Sequence, residues 1–376
     1  MTKGWVICLG ANNSQVPLIL KAQSLGYSIL AIDRDPKAPG FKFSDESMIE
    51  STHHSDYIME KIKDRKWCGL LARCTGGALF TAADIVKKHN IAGVSYDLVD
   101  IATSKSAMRQ FCSYNDIRAP HGLRVASIQE YDFTEFVDQI IVKPDFTVRG
   151  KESISKVNST DKRKVRNSIE SALLSSGNTY AEIEDFIEGY DCSYLAWIEK
   201  GKSSVILPWD ELVGFDEKST LLQFGVSTPS ISILTQQSIE IKKIVDSFAN
   251  LFPNVSTLLS FSFRVDHQGI PWLIEVHADM TGDMILDKLV PAATGYDVLL
   301  DITKLFINSE LGLDNCLKGV MSLKPTAMLY KNSIVNSSDD LVLMKPNLFA
   351  LHNEINTLLG GVVLEQKKFL DKKDAL

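Results

Sequence analysis

Residues 5–100 alternate short apolar runs with amphipathic ones, and this alternation restricts the possible folds more than any other feature of the chain. Trp5 to Leu9 is an unbroken apolar run, as expected of a strand covered on both faces. A turn at Gly10 to Asn13 leads into Gln15 to Gly26, which has helical spacing and a glycine stop. Ser28 to Ile32 reads as a second strand ending at Asp33, and Gly69 to Ala72 as a third, followed by a helix from Ala78 to His89. Ala92 to Ser95 reads as a fourth strand. Strands separated by helices need crossover connections, and hence a parallel sheet with helices on its faces.

Sheets of this kind bind dinucleotides when a glycine-rich turn follows the first strand. Here Gly10 to Gln15 holds one glycine where three are needed for close approach of a pyrophosphate. Asp33 stands where a ribose-binding acid would stand. The turn therefore predicts a structural or substrate-side role. A nicotinamide-dependent oxidoreductase would need the missing glycines.

The 376 residues suffice for two or three domains of about 100–200 residues each. Hydrophobic residues make up 45% and charged residues 23%, enough for an ordinary core. The net charge of -7 argues against a general nucleic-acid partner. Cys8, Cys68, Cys74, Cys112, Cys192 and Cys316 form no C-x-x-C pair and read as reduced core residues of a cytoplasmic protein. The N-terminal apolar run is too short for a signal peptide, and no stretch approaches the roughly 18 apolar residues of a membrane span.

Past residue 100 the pattern changes. A helix from Thr103 to Asn115 carries Lys105 and Arg109, and Asp138 to Pro144 is a strand ending in Lys143. A loop with Arg149, Gly150 and Lys151 precedes a return strand, Ile154 to Val157. Such a loop could fold over a polyphosphate, or be an exposed charged hairpin. Asp161 to Ser175 reads as a helix, and Tyr180 to Asp191 as a strand leading into a turn. Cys192 to Glu199 and Ser203 to Trp209 read as a hairpin, with Trp209 to Glu211 and Phe215 to Glu217 in a loop at a cleft edge. Gln236 to Leu251 is an amphipathic helix. Thr257 to Val265 and Ile270 to His277 form a hairpin about Asp266 to Gly269, and helices follow at Gly282 to Leu289 and Tyr296 to Phe306. His53 and His54 read as an exposed loop.

The strand from Ile270 starts apolar and ends polar. Glu275, His277 and Asp279 alternate with Val276 and Ala278, so the three polar side chains share one face. A cation, a phosphate held through a cation, or an ion-pair network would each account for them.

The order of these pieces resembles the ATP-grasp superfamily, in particular its carboxylate–amine ligases such as D-alanine–D-alanine ligase, biotin carboxylase and the L-amino-acid ligases. The resemblance spans residues 4–305 and rests on Lys105, Lys143 with the loop after it, Glu184-x-x-Ile187-x-Gly-x-Asp191, and Asp266-x-x-Gly269 leading to Glu275-x-His277. It implies a Rossmann-like N-terminal domain over 1–102 and a two-subdomain ATP-grasp fold, α/β and α+β in class. The first subdomain, 103–182, would carry the phosphate loop, and the second, 183–310, the metal strand. Residues 311–376 would pack on them. It also implies ATP between two antiparallel sheets, Mg²⁺ or Mn²⁺, and activation of a small-molecule carboxylate as an acyl phosphate for attack by an amine or thiol. Lys105, Lys143 and Lys151 would contact phosphates, with Arg149 closing the loop. Glu184 and the Ile187 backbone would read adenine, and Asp191 the ribose. Dimers are common among such proteins, so a homodimer is compatible.

The departures from the family pattern lie at the metal strand and near the end of the phosphate loop, where the expected glycine is Ser153. The acid expected opposite Glu275 is Ser262, the expected asparagine is His277, and the expected arginine is Asp279. Asp266 lies at the hairpin turn, away from Glu275. One account rebuilds the metal site from Glu275, His277 and Asp279, with Arg264 or Arg149 taking the anionic contact; an imidazole suits Mn²⁺ better than Mg²⁺. The other account is a non-catalytic nucleotide- or metabolite-binding protein. Asp283 and Asp287, on one helix face, could receive an amine.

Overall fold

The computed structural model describes residues 2–146, 153–215, 221–230, 233, 235–282, 284–307, 324–330 and 341–344. The alternation over the first hundred residues becomes β1 (Trp5–Leu9), α1 (Val16–Ser24), β2 (Ser28–Asp33), β3 (Glu46–Ile49), α2 (Ser55–Ile62), β4 (Trp67–Leu71) and α3 (Ala78–His89). These strands form a parallel sheet in the order β3-β2-β1-β4. Two expectations change here. Ala92 to Ser95 is no strand; Gly93 makes a single bridge to Ser256. The fourth strand is β3, whose largely exposed edge position leaves no apolar run for sequence reading to find.

Next come α4 (Tyr96–Thr103), α5 (Lys105–Tyr114), β5 (Gly122–Val125), β6 (Gln139–Pro144), β7 (Ser155–Asn158), α6 (Lys162–Ser175) and β8 (Ala181–Asp185). Their four strands make an antiparallel sheet, β5-β8-β6-β7. Alternation gives it two unlike faces. Ile140, Val142, Ala181 and Ile183 pack with Val165, Ile169 and Ala172 of α6 in a core of their own. Lys143, Glu182 and Glu184 occupy the alternate positions.

The remaining strands are β9 (Gly189–Glu199), β10 (Lys202–Phe215), β11 (Leu221–Thr228), β12 (Ser256–Asp266), β13 (Pro271–His277), β14 (Thr326–Tyr330) and β15 (Leu341–Met344). They form an antiparallel sheet in the order β13-β12-β9-β10-β11-β14-β15. Helices α7 (Thr235–Asn250), α8 (Val290–Thr294) and α9 (Val298–Ile307) accompany it. Cys192, Tyr194, Phe261 and Phe263 lie in one core with Ile241, Val245 and Phe248 of α7 and with residues of the first sheet. On the opposite face Leu195, Trp197 and Leu258 pack with Ile302 and Phe306 of α9. Further along that face the same strands turn polar, at Asp191, Ser193, Ser262 and Arg264.

The strand expected from Tyr180 is β8, and its turn is Phe186 to Glu188, beyond which β9 begins at Gly189 in a different sheet. Two readings of the second half are corrected. Trp209 to Glu211 is not a loop but lies inside β10, paired to β9 and β11. Gly282 to Leu289 is not an α-helix: a π-helical turn covers Ile285–Leu289. Among the described residues no helix is long and apolar enough to cross a membrane.

Candidate active site between two sheets

The polar faces of the two antiparallel sheets meet across a set of buried charges. Lys105 is the first residue of α5, and Arg109 follows one turn later on the same face. Met108 and Cys112 anchor the helix in the main core. Lys105 Nζ lies 3.5 Å from Glu275 Oε1 at the end of β13. Lys143 Nζ lies 2.8 Å from Glu184 Oε2, with both side chains buried. Arg109 Nε donates to Glu182, whose side chain is fully buried on β8.

These contacts set the charge states. Burial pushes the Lys143 ammonium toward neutrality, but Glu184 and then Glu275 outweigh it and raise its pKa above the ordinary value. Burial likewise opposes ionisation of Glu275. Lys105, His277 and Lys143 overcome it and hold that carboxyl well below the usual range. Glu182 goes the other way: burial pushes its pKa up to about 7 despite Arg109, and Glu184 adds to the rise. One of its oxygens, Oε2, has no hydrogen-bond partner among the described residues.

The hairpin register matches its sequence pattern. Ser262 pairs with Glu275 and Ser260 with His277, while Asp266 bonds within the turn to Gln268 N and Ile270 N. His277 Nε2 lies 3.3 Å from Glu275 Oε2. Burial would lower the pKa of this imidazole, but its hydrogen bond to Glu275 outweighs that and leaves it raised. Asp279 accepts instead from Thr281 N, at 3.2 Å. Among the described residues no group of three or more His, Cys, Asp or Glu could hold a metal ion. The alternating triad therefore has its common face but is not a preformed cage.

Arg264 is engaged at the start of β9. Nη1 donates to Asp191 Oδ2 at 2.8 Å and Nη2 to Gly189 O at 3.1 Å, and its guanidinium stacks 4.4 Å from the Phe186 ring centroid. It therefore fixes the Ile187–Asp191 segment. Gly189 permits the close approach: a Cβ there would lie 2.0 Å from Val265 O. Arg149, Lys151 and Asp283 fall outside the described residues.

Some residues of this region were not singled out by their spacing. Asp145, fully buried, follows Lys143 and Pro144 and accepts from Ser106 N at 2.7 Å and Asn178 Nδ2 at 2.6 Å. Glu211 on β10 accepts from Ser193 Oγ at 3.0 Å and Trp209 Nε1 at 2.8 Å, extending the polar row beyond Ser262. The alternation Glu182-Ile183-Glu184 puts Glu182 on the face of Glu184, a signal that could have found it but not its burial.

The first sheet's turn spends its own amides. Ala11 N donates to Asp33 Oδ2 at 2.8 Å and Asn12 N to Gln15 Oε1 at 3.0 Å. Neither the amides nor the acid are left as a dinucleotide site would need them.

No known family model matches the sequence, and no curated protein is similar to it at the sequence level. Solved structures do resemble it. An L-amino acid ligase from Bacillus licheniformis superposes with a TM-score of 0.71 at 14% identity, over 88% of this chain and 81% of that one. The chain has the ATP-grasp fold. A phosphoribosylglycinamide synthetase from Anaerococcus prevotii gives 0.67 at 17% identity, over 95% and 98%. The biotin carboxylase domain of the 2-oxoglutarate carboxylase from Hydrogenobacter thermophilus, a dimer in complex with MgADP and bicarbonate, gives 0.68 at 13% identity, over 88% and 75%. The arrangement seen here, a parallel sheet followed by two facing antiparallel sheets, is the ATP-grasp one.

Proposed function

We propose that the chain is an ATP-dependent ligase that joins a small-molecule carboxylate to an amine or thiol. The observation that carries this reading is the pair of buried lysines, Lys105 and Lys143, brought from separate elements to one cleft and both coupled to Glu275. Lysine heads on anchored stems suit phosphate oxygens. Glu184 and the Ile187 backbone lie at the junction of the sheets, where they would read adenine, and Asp191, held by Arg264, would accept from the ribose.

In this reaction the carboxylate oxygen forms a bond to the γ-phosphorus while the bond to the β-phosphate oxygen breaks, releasing ADP. The amine then bonds to the acyl carbon and phosphate departs, with the amine's proton passing to solvent or a nearby base. The chain's part is positioning and charge compensation. Lys105 and Lys143 would exchange their carboxylate partners for phosphate oxygens, and Arg149 and Lys151 would close over them.

The donors present fit a metal that arrives with the nucleotide. Mg²⁺ is commonly held by one or two carboxylates plus phosphates, and Glu275, with the Ser262 hydroxyl opposite, supplies one carboxylate. His277 would ligate only after losing the proton that Glu275 stabilises, and doing so would favour Mn²⁺. When bound, such an ion neutralises phosphate charge.

A second reading, nucleotide binding without turnover, draws on Ser262, on the carboxylate of Asp279 at the strand end, and on Ser153 where a glycine is expected. Calorimetry with a non-hydrolysable ATP analogue in Mg²⁺ and Mn²⁺ comes first, followed by ADP release across carboxylates and amines. Glu275→Ala and Lys143→Ala are each expected to weaken binding or kcat/KM by at least about tenfold, the loss typical of a charge-stabilising contact. Unchanged binding and unchanged kcat/KM in both would refute the site. Binding without ADP release would favour the second reading.

A further inference from the structure

The geometry points to Asp145 as the residue that sets the relative position of the two lysines, an assignment that rests on the nucleotide reading above. The lysines belong to different packing units. Lys105 opens α5, whose Met108 and Cys112 lie in the main core, whereas Lys143 ends β6, whose Ile140 and Val142 lie in the separate core under α6. Something must fix one unit against the other if both ammonium groups are to meet one polyphosphate.

Asp145 makes that joint with every polar group it has. Its Oδ1 accepts from Ser106 N at 2.7 Å, and both carboxylate oxygens lie within 3.2 Å of Ser104 Oγ. Its Oδ2 accepts from Asn178 Nδ2 at 2.6 Å. The backbone carbonyl of Asp145 accepts from Lys105 N at 3.1 Å, and its amide donates to Tyr180 O at 3.0 Å. Ser104 and Phe146 add a single antiparallel bridge. Three segments are thus held by one residue: the start of α5, the end of β6 and the turn at Ser176 to Tyr180.

There is a chemical corollary. A helix N-terminus with free amides is a ready anion site, because its N–H groups and dipole favour negative charge. Here the chain's own carboxylate occupies the first turn of α5. Phosphate contact in this corner is left to the lysine side chains, so the site depends on where their stems are fixed. Fixing both in advance removes an ordering cost that would otherwise be met on binding.

Asn178 permits a clean test. Its Oδ1 accepts from Tyr180 N and Ser176 Oγ, so only Nδ2 faces Asp145. Asp145→Asn can place an amide nitrogen against that nitrogen, whereas Asp145→Asn combined with Asn178→Asp restores a donor–acceptor pair and keeps the Oδ1 bonds from Ser106 N and Ser104 Oγ, giving up only the Ser104 Oγ contact at Oδ2. The probes are AMP-PNP with Mg²⁺ and adenosine, by calorimetry or displacement. AMP-PNP affinity is expected to fall about tenfold in Asp145→Asn and to recover to within about threefold in the double variant. Adenosine affinity should stay within about threefold throughout, because the start of α5, which Asp145 holds in place, makes none of the base and ribose contacts assigned to Glu184, Ile187 and Asp191. Should Asp145→Asn not fold, Asn178→Ala carries the test with a smaller loss in the same direction. Parallel loss of both ligands would mean that Asp145 only stabilises the fold, and an unchanged AMP-PNP affinity would equally overturn its assignment. Failure of the wild type to bind AMP-PNP would overturn the nucleotide reading, and this inference with it.

Discussion

Arg73 and Asp287 form a buried ion pair whose two halves should behave very differently when removed singly and together. Arg73 Nη1 lies 2.7 Å from Asp287 Oδ2, with side chains 4% and 7% exposed. The guanidinium also donates to Thr281 O at 3.0 Å and Ser14 O at 3.1 Å, tying the end of the first sheet to the turn after β13. That turn is strained: Met280, Thr281 and Met284 have φ of 56°, 51° and 61°. At an effective dielectric constant of about 20, the attraction over this distance is roughly 6 kcal/mol. Desolvation costs several kcal/mol per ion, so the intact pair comes close to breaking even. Its alignment is also imperfect, since neither Asp287 oxygen makes a hydrogen bond among the described residues. Breaking it is another matter. Asp287→Ala should cost about 3 kcal/mol, because two carbonyls still receive the guanidinium, and Arg73→Met about 5 kcal/mol, because it strands a buried carboxylate. Arg73→Met with Asp287→Leu should cost only about 1–3 kcal/mol, the remainder from carbonyls left without a donor. Urea unfolding followed by tryptophan fluorescence gives all three values. A double variant as unstable as the sum of the singles would refute the reasoning.

Two further predictions concern stability. Glu182 titrates near 7 when folded against 4.5 for its ordinary value, so between those pH values the native state keeps a proton that the unfolded chain has lost. Stability from this group therefore falls as pH rises through that window, by about 3 kcal/mol in all. Glu182→Gln should remove the slope, and its stability advantage over wild type should grow from pH 5 to pH 8; a constant difference would contradict the shift. Gly189→Ala would drive a methyl group into Val265 O and is expected to cost about 3 kcal/mol or more, read as a lowered melting temperature. An unchanged melting temperature would mean that the β9–β12 contact yields easily.

Much of this architecture was legible because its signals are local. The β/α alternation, the Ile270–His277 hairpin and the opposition of Ser262 and Glu275 all follow from periodicity and turn position. The illegible parts are those where distant contacts decide. Strand β3 lacks an apolar run because it lies at an edge, and the turn between β8 and β9 was legible while their membership of different sheets was not, because only tertiary pairing decides it. Glu211 sat in a stretch that looked like a loop, since Trp209-Asp210-Glu211 gives no hint that β9 and β11 flank it. Lys105, Lys143, Glu184 and Glu275, expected together from their order, do come together in the structure. The pairing of Arg264 with Asp191 was not legible, because it depends on a strand 73 residues further on. Asp145 escaped notice because its importance lies in the three segments it joins.

Phe186, in the three-residue link between the antiparallel sheets, has Lys156 of β7 3.8 Å from its ring centroid and Arg264 of β12 at 4.4 Å. The sheet that precedes it has a core of its own, while the first and last sheets share theirs. Separate cores predict two cooperative units, coupled by this aromatic ring, by the Asp145 joint and by a few charges. A ligand seated against both polar faces is retained only while both units stay closed. Its binding energy would be distributed over the two, and amide protons at Val142 and Ile183 would then exchange in step with those of β12, as though a single core ran through the whole.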